Sequence, residues 1–208
     1  MEASWGWWGG EGRRGVAGGT DHGELFPFSI RSPDPLLNRG AVLEQVGRLA
    51  EAERDYESVL KAYPKDPAGH NNVGNVRMAR GDFSGARAAY DEAARISPDF
   101  ASARASGAEA LWAGAKATGD GDASAEADLA RAERELRQLL RKYPGFDDAR
   151  AALAAALWAR GSEAEAEEAW SRVDDPRYRD VGWLRDDRRW PGPLVDALSG
   201  LIDIRSGV

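Results

Sequence analysis

Apolar residues near the end of the chain follow the spacing of an amphipathic helix. Leu194, Val195, Leu198 and Leu201 lie on one helical face, and Pro193 suits the first turn of such a helix. The longest apolar run, residues 152–159, is shorter than the roughly 18 residues of a bilayer span and predicts a buried helix. Residues 1–32, by contrast, are rich in glycine and tryptophan and lack any periodicity. They predict an extended arm.

The middle of the chain contains a pattern that repeats every 34 residues. The pattern rests on five positions, all of restrictive residue types, at which residues 33–66 carry the same residue as their counterparts in residues 67–100. The matched pairs are Gly40 and Gly74, Gly47 and Gly81, Ala52 and Ala86, Tyr56 and Tyr90, and Pro64 and Pro98. A period of this length is typical of a repeat array rather than of a single globular core.

The order small, small, aromatic, proline at these intervals resembles the tetratricopeptide repeat, whose unit is a helix–turn–helix. The resemblance implies an all-α fold, a right-handed α-solenoid of about four units. The predicted domains are the arm 1–32 and a solenoid from 33 to 208, with units 33–66, 67–100, 101–146 and 147–180 and a capping helix at about 192–205. In this fold Gly40 and Gly74 permit close helix crossing, Tyr56 and Tyr90 fill the space beside them, and prolines end each second helix.

The third unit is longer than the first two. Pro144 follows Pro98 by 46 residues instead of 34, so 12 residues have been inserted. Residues 114–127 are small, polar and glycine-bearing, and we predict that the insertion forms an inter-helix loop there. The fourth unit has Ala154, Gly161 and Trp170 at the expected positions. As the terminal unit it needs a cap over its apolar face, which the helix near residues 192–205 would supply.

Composition narrows the function classes. The net charge of −7 and pI of about 5.0 disfavour a nucleic-acid-binding surface. The chain has no cysteine, and His22 and His70 are too far apart in sequence to suggest a metal site. No set of nucleophile, base and orienting group is recognisable, so we predict a protein without catalytic activity, cofactor or transmembrane segment.

The resemblance also implies where partners would bind, because ligands of this fold usually lie on the concave face formed by the first helix of each unit. The residues predicted to contact a partner there are Asn71, Asn75, Met78, Glu109, Trp112, Ala155 and Trp158. They suggest an apolar groove for an apolar or helical peptide. Trp112 and Trp158 could instead pack against the tail or the capping helix. Trp5, Trp7 and Trp8 of the arm are further candidates, as aromatic anchors for a partner or as contacts with the arm's own solenoid.

The tail carries a second resemblance. Trp183-Leu184 and Arg188-Arg189-Trp190-Pro191 resemble the C-terminal tail of tetratricopeptide proteins from plastids and cyanobacteria. This implies a chloroplast protein, an accessory subunit or assembly factor of a multi-subunit thylakoid or photosystem complex, with any membrane association made through its partners. The alternatives are a cytoplasmic location, an organellar RNA-associated helical-repeat protein, and a regulatory subunit of an enzyme.

Overall fold

A computed structural model describes residues 35–119 and 121–206. The predicted extended arm, with Trp5, Trp7 and Trp8, lies outside the described residues. Ten α-helices and one short 3₁₀ helix follow one another in the described part: α1 Pro35–Gln45, α2 Leu49–Ala62, α3 Pro67–Ala79, α4 Phe83–Ile96, α5 Ala101–Thr118, α6 Ala123–Lys142, α7 Asp147–Ala159, α8 Glu163–Ser171, the 3₁₀ helix Pro176–Arg179, α9 Val181–Asp186 and α10 Gly192–Ser206.

Local sequence explains where the helices begin and end. α2, α4 and α6 each stop two residues before the prolines at 64, 98 and 144, as the repeat pattern predicts. Within the hairpins, Gly47, Gly81 and Gly161 adopt φ values of 76°, 76° and 80°, a conformation that other residues enter at a cost. The Asp82 side chain then caps α4 by accepting a hydrogen bond of 2.9 Å from the Gly85 amide. The helix–turn–helix units therefore follow from short-range chemistry.

The glycines at the helix crossings do what the repeat pattern predicts. A Cβ atom on Gly40 would lie 2.5 Å from the Tyr56 ring, and one on Gly74 would lie 2.6 Å from the Tyr90 ring. Both tyrosines are buried. Each ring thus fills the space that a side chain at the glycine would occupy, and the two helices of the unit pack closely.

Replacing Gly74 with Val is expected to lower the free energy of unfolding by about 1–3 kcal/mol, because the added side chain must displace the Tyr90 ring in a packed interior. Chemical denaturation measures the change. Gly145→Val is the matched control, since a Cβ at Gly145 meets nothing within 4 Å. Equal effects at the two positions would show that close packing at Gly74 is not required.

The prediction of an inserted loop in the third unit is wrong. α5 has 18 residues and α6 has 20, whereas α3 and α4 have 13 and 14. Only residues 119–122 separate the two long helices. The alanines that follow Gly114 and those near residue 125 favour helix, and the Asp122 side chain starts α6 by accepting from the Ser124 and Ala125 amides at 2.8 and 2.9 Å. Most of the inserted residues therefore lengthen both helices by about a turn or more.

The C-terminal end of the solenoid is closed by α10. Leu194, Val195, Leu198 and Leu201 are almost fully buried and belong to the same core cluster as the apolar side of α7. The capping helix thus lies where the sequence predicted it, at residues 192–206 instead of about 192–205. Among the helices of the described ranges, none combines the length and hydropathy that a bilayer span requires.

Candidate functional site: the concave face and the C-terminal strap

Residues 181–191, named here the C-terminal strap, connect the end of the array back to its beginning. The strap comprises α9 and the segment that leads to α10. Its Arg188 reaches Asp148 on α7 and Glu109 on α5. Its Arg189 reaches Glu44 on α1. One short segment therefore bonds to the first helices of units one, three and four.

Asp148 holds the centre of this arrangement. Its side chain is 1% exposed and accepts hydrogen bonds from three residues. Tyr178 Oη donates at 3.0 Å, Trp190 Nε1 donates at 3.3 Å, and Arg188 donates through both Nε, at 2.8 Å, and Nη2. A buried carboxylate is stable only when it is paired and hydrogen-bonded. Here every donor comes from the segment that follows α8.

Glu109 is the second carboxyl group beside Arg188. Its side chain is 1% exposed, and its Oε1 lies 3.4 Å from Arg188 Nη2. Burial is the main cause that raises the pKa of Glu109 to about 8, and the neighbouring Asp148 carboxylate raises it further against the attraction of Arg188. At neutral pH Glu109 is therefore mostly protonated and adds no full negative charge beside Arg188.

A second ion pair joins the strap to the first unit. Arg189 Nη1 lies 2.7 Å from Glu44 Oε1, and Arg189 Nη2 donates to the Glu44 carbonyl at 3.2 Å. Tyr56 Oη donates to Glu44 Oε2 at 3.0 Å. Burial raises the pKa of Glu44, while Arg189 and Tyr56 act in the opposite direction. Arg189 has φ of 56°, a conformation uncommon outside glycine and asparagine.

The strap and α10 cover the concave face of units three and four. Of the residues predicted there to bind a partner, Glu109, Trp112 and Ala155 are buried, and Trp158 is partly buried. A Cβ on Gly200 would lie 2.8 Å from Trp158 Nε1, so α10 packs directly on this indole. Trp112 belongs to the same core cluster as the apolar residues of α10. For Trp158, the alternative stated above, packing against the capping helix, is the arrangement found.

The concave face of units one and two remains open beside the strap. A pocket of about 280 Å³ lies there between α1, α3, α5 and the strap. Asn75 and Met78 line it, together with Ala41, Gln45, Asp186 and Asp187. Asn75 Oδ1 accepts a hydrogen bond of 2.8 Å from Tyr90 Oη, so Nδ2, which can only donate, is the atom that Asn75 can offer to a ligand. Asn71 is half-buried one turn earlier on α3.

The sequence indicates the Arg-Arg-Trp-Pro motif but does not predict which residues the motif contacts. Arg188 and Trp190 both end on Asp148, and this contact was not foreseen. One signal was available, because Asp148 and Glu109 are carboxyl residues within alanine-rich helices that the pattern places in the core. Buried charged residues need partners, and the arginines of the tail were candidates for them.

Comparisons with known proteins agree with this architecture. Residues 37–101 match the model of a tetratricopeptide repeat family. No curated protein sequence matches the chain significantly.

Three solved structures are similar over most of the chain. A thermophilic TPR protein from Thermus thermophilus, TTC0263, has a TM-score of 0.63 and 17% identity, covering 83% of this chain and 90% of its own. YrrB, described as a TPR protein with an unusual peptide-binding site, has a TM-score of 0.53 and 17% identity, covering 84% and 87%. An O-GlcNAc transferase from Thermobaculum terrenum has a TM-score of 0.50 and 20% identity, covering 72% of this chain and only 25% of its own. The chain therefore has the fold of tetratricopeptide-repeat solenoids, and its residues 37–101 match the tetratricopeptide repeat family itself.

Proposed function

We propose that this protein is a non-catalytic scaffold that binds protein partners through the open concave face of its first two units. The observation that carries the proposal is the pocket beside the strap, which is lined by the half-buried Asn75 and by the edge of the largely buried Met78, while the concave face of units three and four is covered. The similarity in fold to YrrB, a TPR protein with a peptide-binding site, supports a peptide as the ligand.

The size of the pocket limits which conformation a bound peptide can have. A volume of about 280 Å³ is near the lower limit for ligand pockets. An α-helix is about 10 Å across with its side chains and would need the groove that the strap occupies. We therefore infer that the partner presents an extended segment and inserts an apolar side chain next to Met78. Asn71 and Asn75, one turn apart on α3, are placed to donate hydrogen bonds to the backbone carbonyls of that segment.

Site-specific photocrosslinking tests this proposal. A photoreactive amino acid at Gln45, which lines the pocket, should capture the partner. The same group at Gln138, an exposed glutamine on α6, should not. Replacing Asn71 and Asn75 with Ala is expected to lower the partner's affinity by about tenfold, the value of one to two hydrogen bonds. Equal capture at positions 45 and 138, or unchanged affinity of the variant, would contradict a site at this pocket.

The finer part of the proposal is a chloroplast setting, in which the partner belongs to a multi-subunit thylakoid or photosystem complex. Its support is the resemblance of Trp183-Leu184 and of residues 188–191 to the tails of plastid and cyanobacterial proteins. Mass spectrometry of the material crosslinked at position 45, from membrane and soluble fractions separately, tests it. If only cytoplasmic proteins are captured, the scaffold proposal stands and the chloroplast assignment is contradicted.

A further inference from the structure

The first helix of the array has an exposed apolar face. α1 packs mainly against α2. Val42 on α1 and Val46, the first residue after the helix, are four residues apart and are 58% and 63% exposed. Only two other large hydrophobic residues in the described ranges, Tyr63 and Ile204, are comparably exposed. Exposed apolar residues that stand alone are ordinary, but two neighbouring valines at a terminal helix mark a surface to be covered.

The opposite end of the array shows how such a surface is covered. There α10 places Leu194 and Leu198 on α7 with almost no exposure. α10 belongs to the same chain, and residues 172–191 separate it from the end of α8. The last unit of this protein is thus closed by the part of the chain that follows it.

The segment adjacent to α1 has the composition for the same task. Residues 24–30 read ELFPFSI, in which Leu25, Phe26, Phe28 and Ile30 are apolar. Ile30 precedes Pro35, the first residue of α1, by five residues, which extend up to about 17 Å. Val42 lies about 10 Å along the axis from the start of α1. The connecting residues are therefore long enough for the segment to reach the exposed face.

We propose that residues 24–30 pack on the face of α1 that carries Val42 and Val46 and form an intramolecular cap of the first unit. Tethering gives this segment a high effective concentration at the face. Two valines are too small a surface for a stable dimer, which needs about 800 Å² from each copy. The exposed polar side chains of Asn38 and Gln45 border the valines and can bond to the backbone of an extended segment.

Two sets of substitutions, made separately and together in the full chain, test this cap. The first variant replaces Leu25, Phe26 and Phe28 with Ser, the second replaces Val42 and Val46 with Ser, and the third combines them. We expect amide exchange in α1 to be faster by about tenfold in each of the first two variants, because each one removes the packing that protects α1 from local opening. The combined variant should exchange no faster than either one, since both changes break the same contact.

Three results would overturn the proposal. If the effects of the two variants multiply, or if neither changes exchange in α1, residues 24–30 do not contact this face. If light scattering finds a dimer that the Val42→Ser, Val46→Ser variant dissociates while the first variant leaves it intact, a second copy is the occupant. Tyr63→Ser, at an exposed apolar residue at the end of α2, is the control. Its effect should multiply with that of the first variant.

Discussion

Replacing Asp148 with Asn and Glu109 with Gln in the same chain is expected to lower the free energy of unfolding by about 3–5 kcal/mol. Arg188 lies between these two carboxyl groups with its side chain 15% exposed, at 2.8 Å from Asp148 through Nε and at 3.4 Å from Glu109. The double variant leaves the guanidinium without a counter-charge in the interior. The strap would then lose its attachment to the third and fourth units.

The single variants should cost much less than the double variant. Glu109 is already mostly neutral, because burial raises its pKa, so Glu109→Gln replaces one neutral side chain with another. In Asp148→Asn, Glu109 no longer faces a negative neighbour and can ionise to become the counter-ion of Arg188. Each carboxyl group thus compensates for the loss of the other, and the coupling free energy between the two changes should be strongly destabilising.

Chemical denaturation of the four proteins measures this coupling. Asp196→Asn, at an exposed aspartate on α10, is the matched control and should leave stability within about 0.5 kcal/mol. If the effects of the two substitutions are additive, Arg188 does not require either carboxylate as its counter-ion. A fully tolerated double variant would mean that the strap is held by its apolar contacts alone.

The stability of the protein is expected to fall as the pH rises from about 5 to about 8. The pKa of Glu109 is raised from 4.5 in the unfolded chain to about 8 in the folded protein, mainly by burial. Between these values the folded state binds a proton that the unfolded state has released, so raising the pH favours unfolding. The contribution of Glu109 is fully present below pH 4.5 and is lost as the pH passes 8. It amounts to about 1.4 kcal/mol for each pH unit between the two pKa values.

Comparison with the Glu109→Gln variant isolates this effect. The titratable groups that interact with Glu109 are Asp148, Arg188, Tyr90 and Tyr178, and they are the same in both proteins. The free energy of unfolding of the variant should therefore depend less on pH between 5 and 8, and the variant should be the more stable protein near pH 9. Parallel pH profiles for the two proteins would show that Glu109 is ionised across this range in the folded state.

The strap also limits how the array can act as a scaffold. It fills the concave face of units three and four with Arg188 and Trp190, and it reaches the first unit through Arg189 and Glu44. At the proposed site a partner would therefore meet an opening of about 280 Å³ instead of a groove along the whole array. Loosening the strap, as in the double variant at Asp148 and Glu109, would widen this surface.

The sequence by itself determined the repeating units and their boundaries. Close helix crossing at Gly40 and Gly74, the left-handed turns at Gly47 and Gly81, and the ends of helices before Pro64 depend on contacts within one unit. Such contacts recur every 34 residues and can be read from residue types at fixed spacing. The capping helix was predictable for the same reason, because its apolar stripe has a helical period.

The tertiary structure alone decided which part of the concave face is open. Arg189 and Glu44 are 145 residues apart, and Arg188 and Glu109 are 79 apart. No repeat spacing relates these residues. Their pairing depends on the curvature of the packed array and on the direction in which the chain leaves the fourth unit. Arg188 is largely removed from water there. A largely buried arginine is stable only when the fold places carboxyl groups beside it, and Asp148 and Glu109 are the ones that this fold supplies.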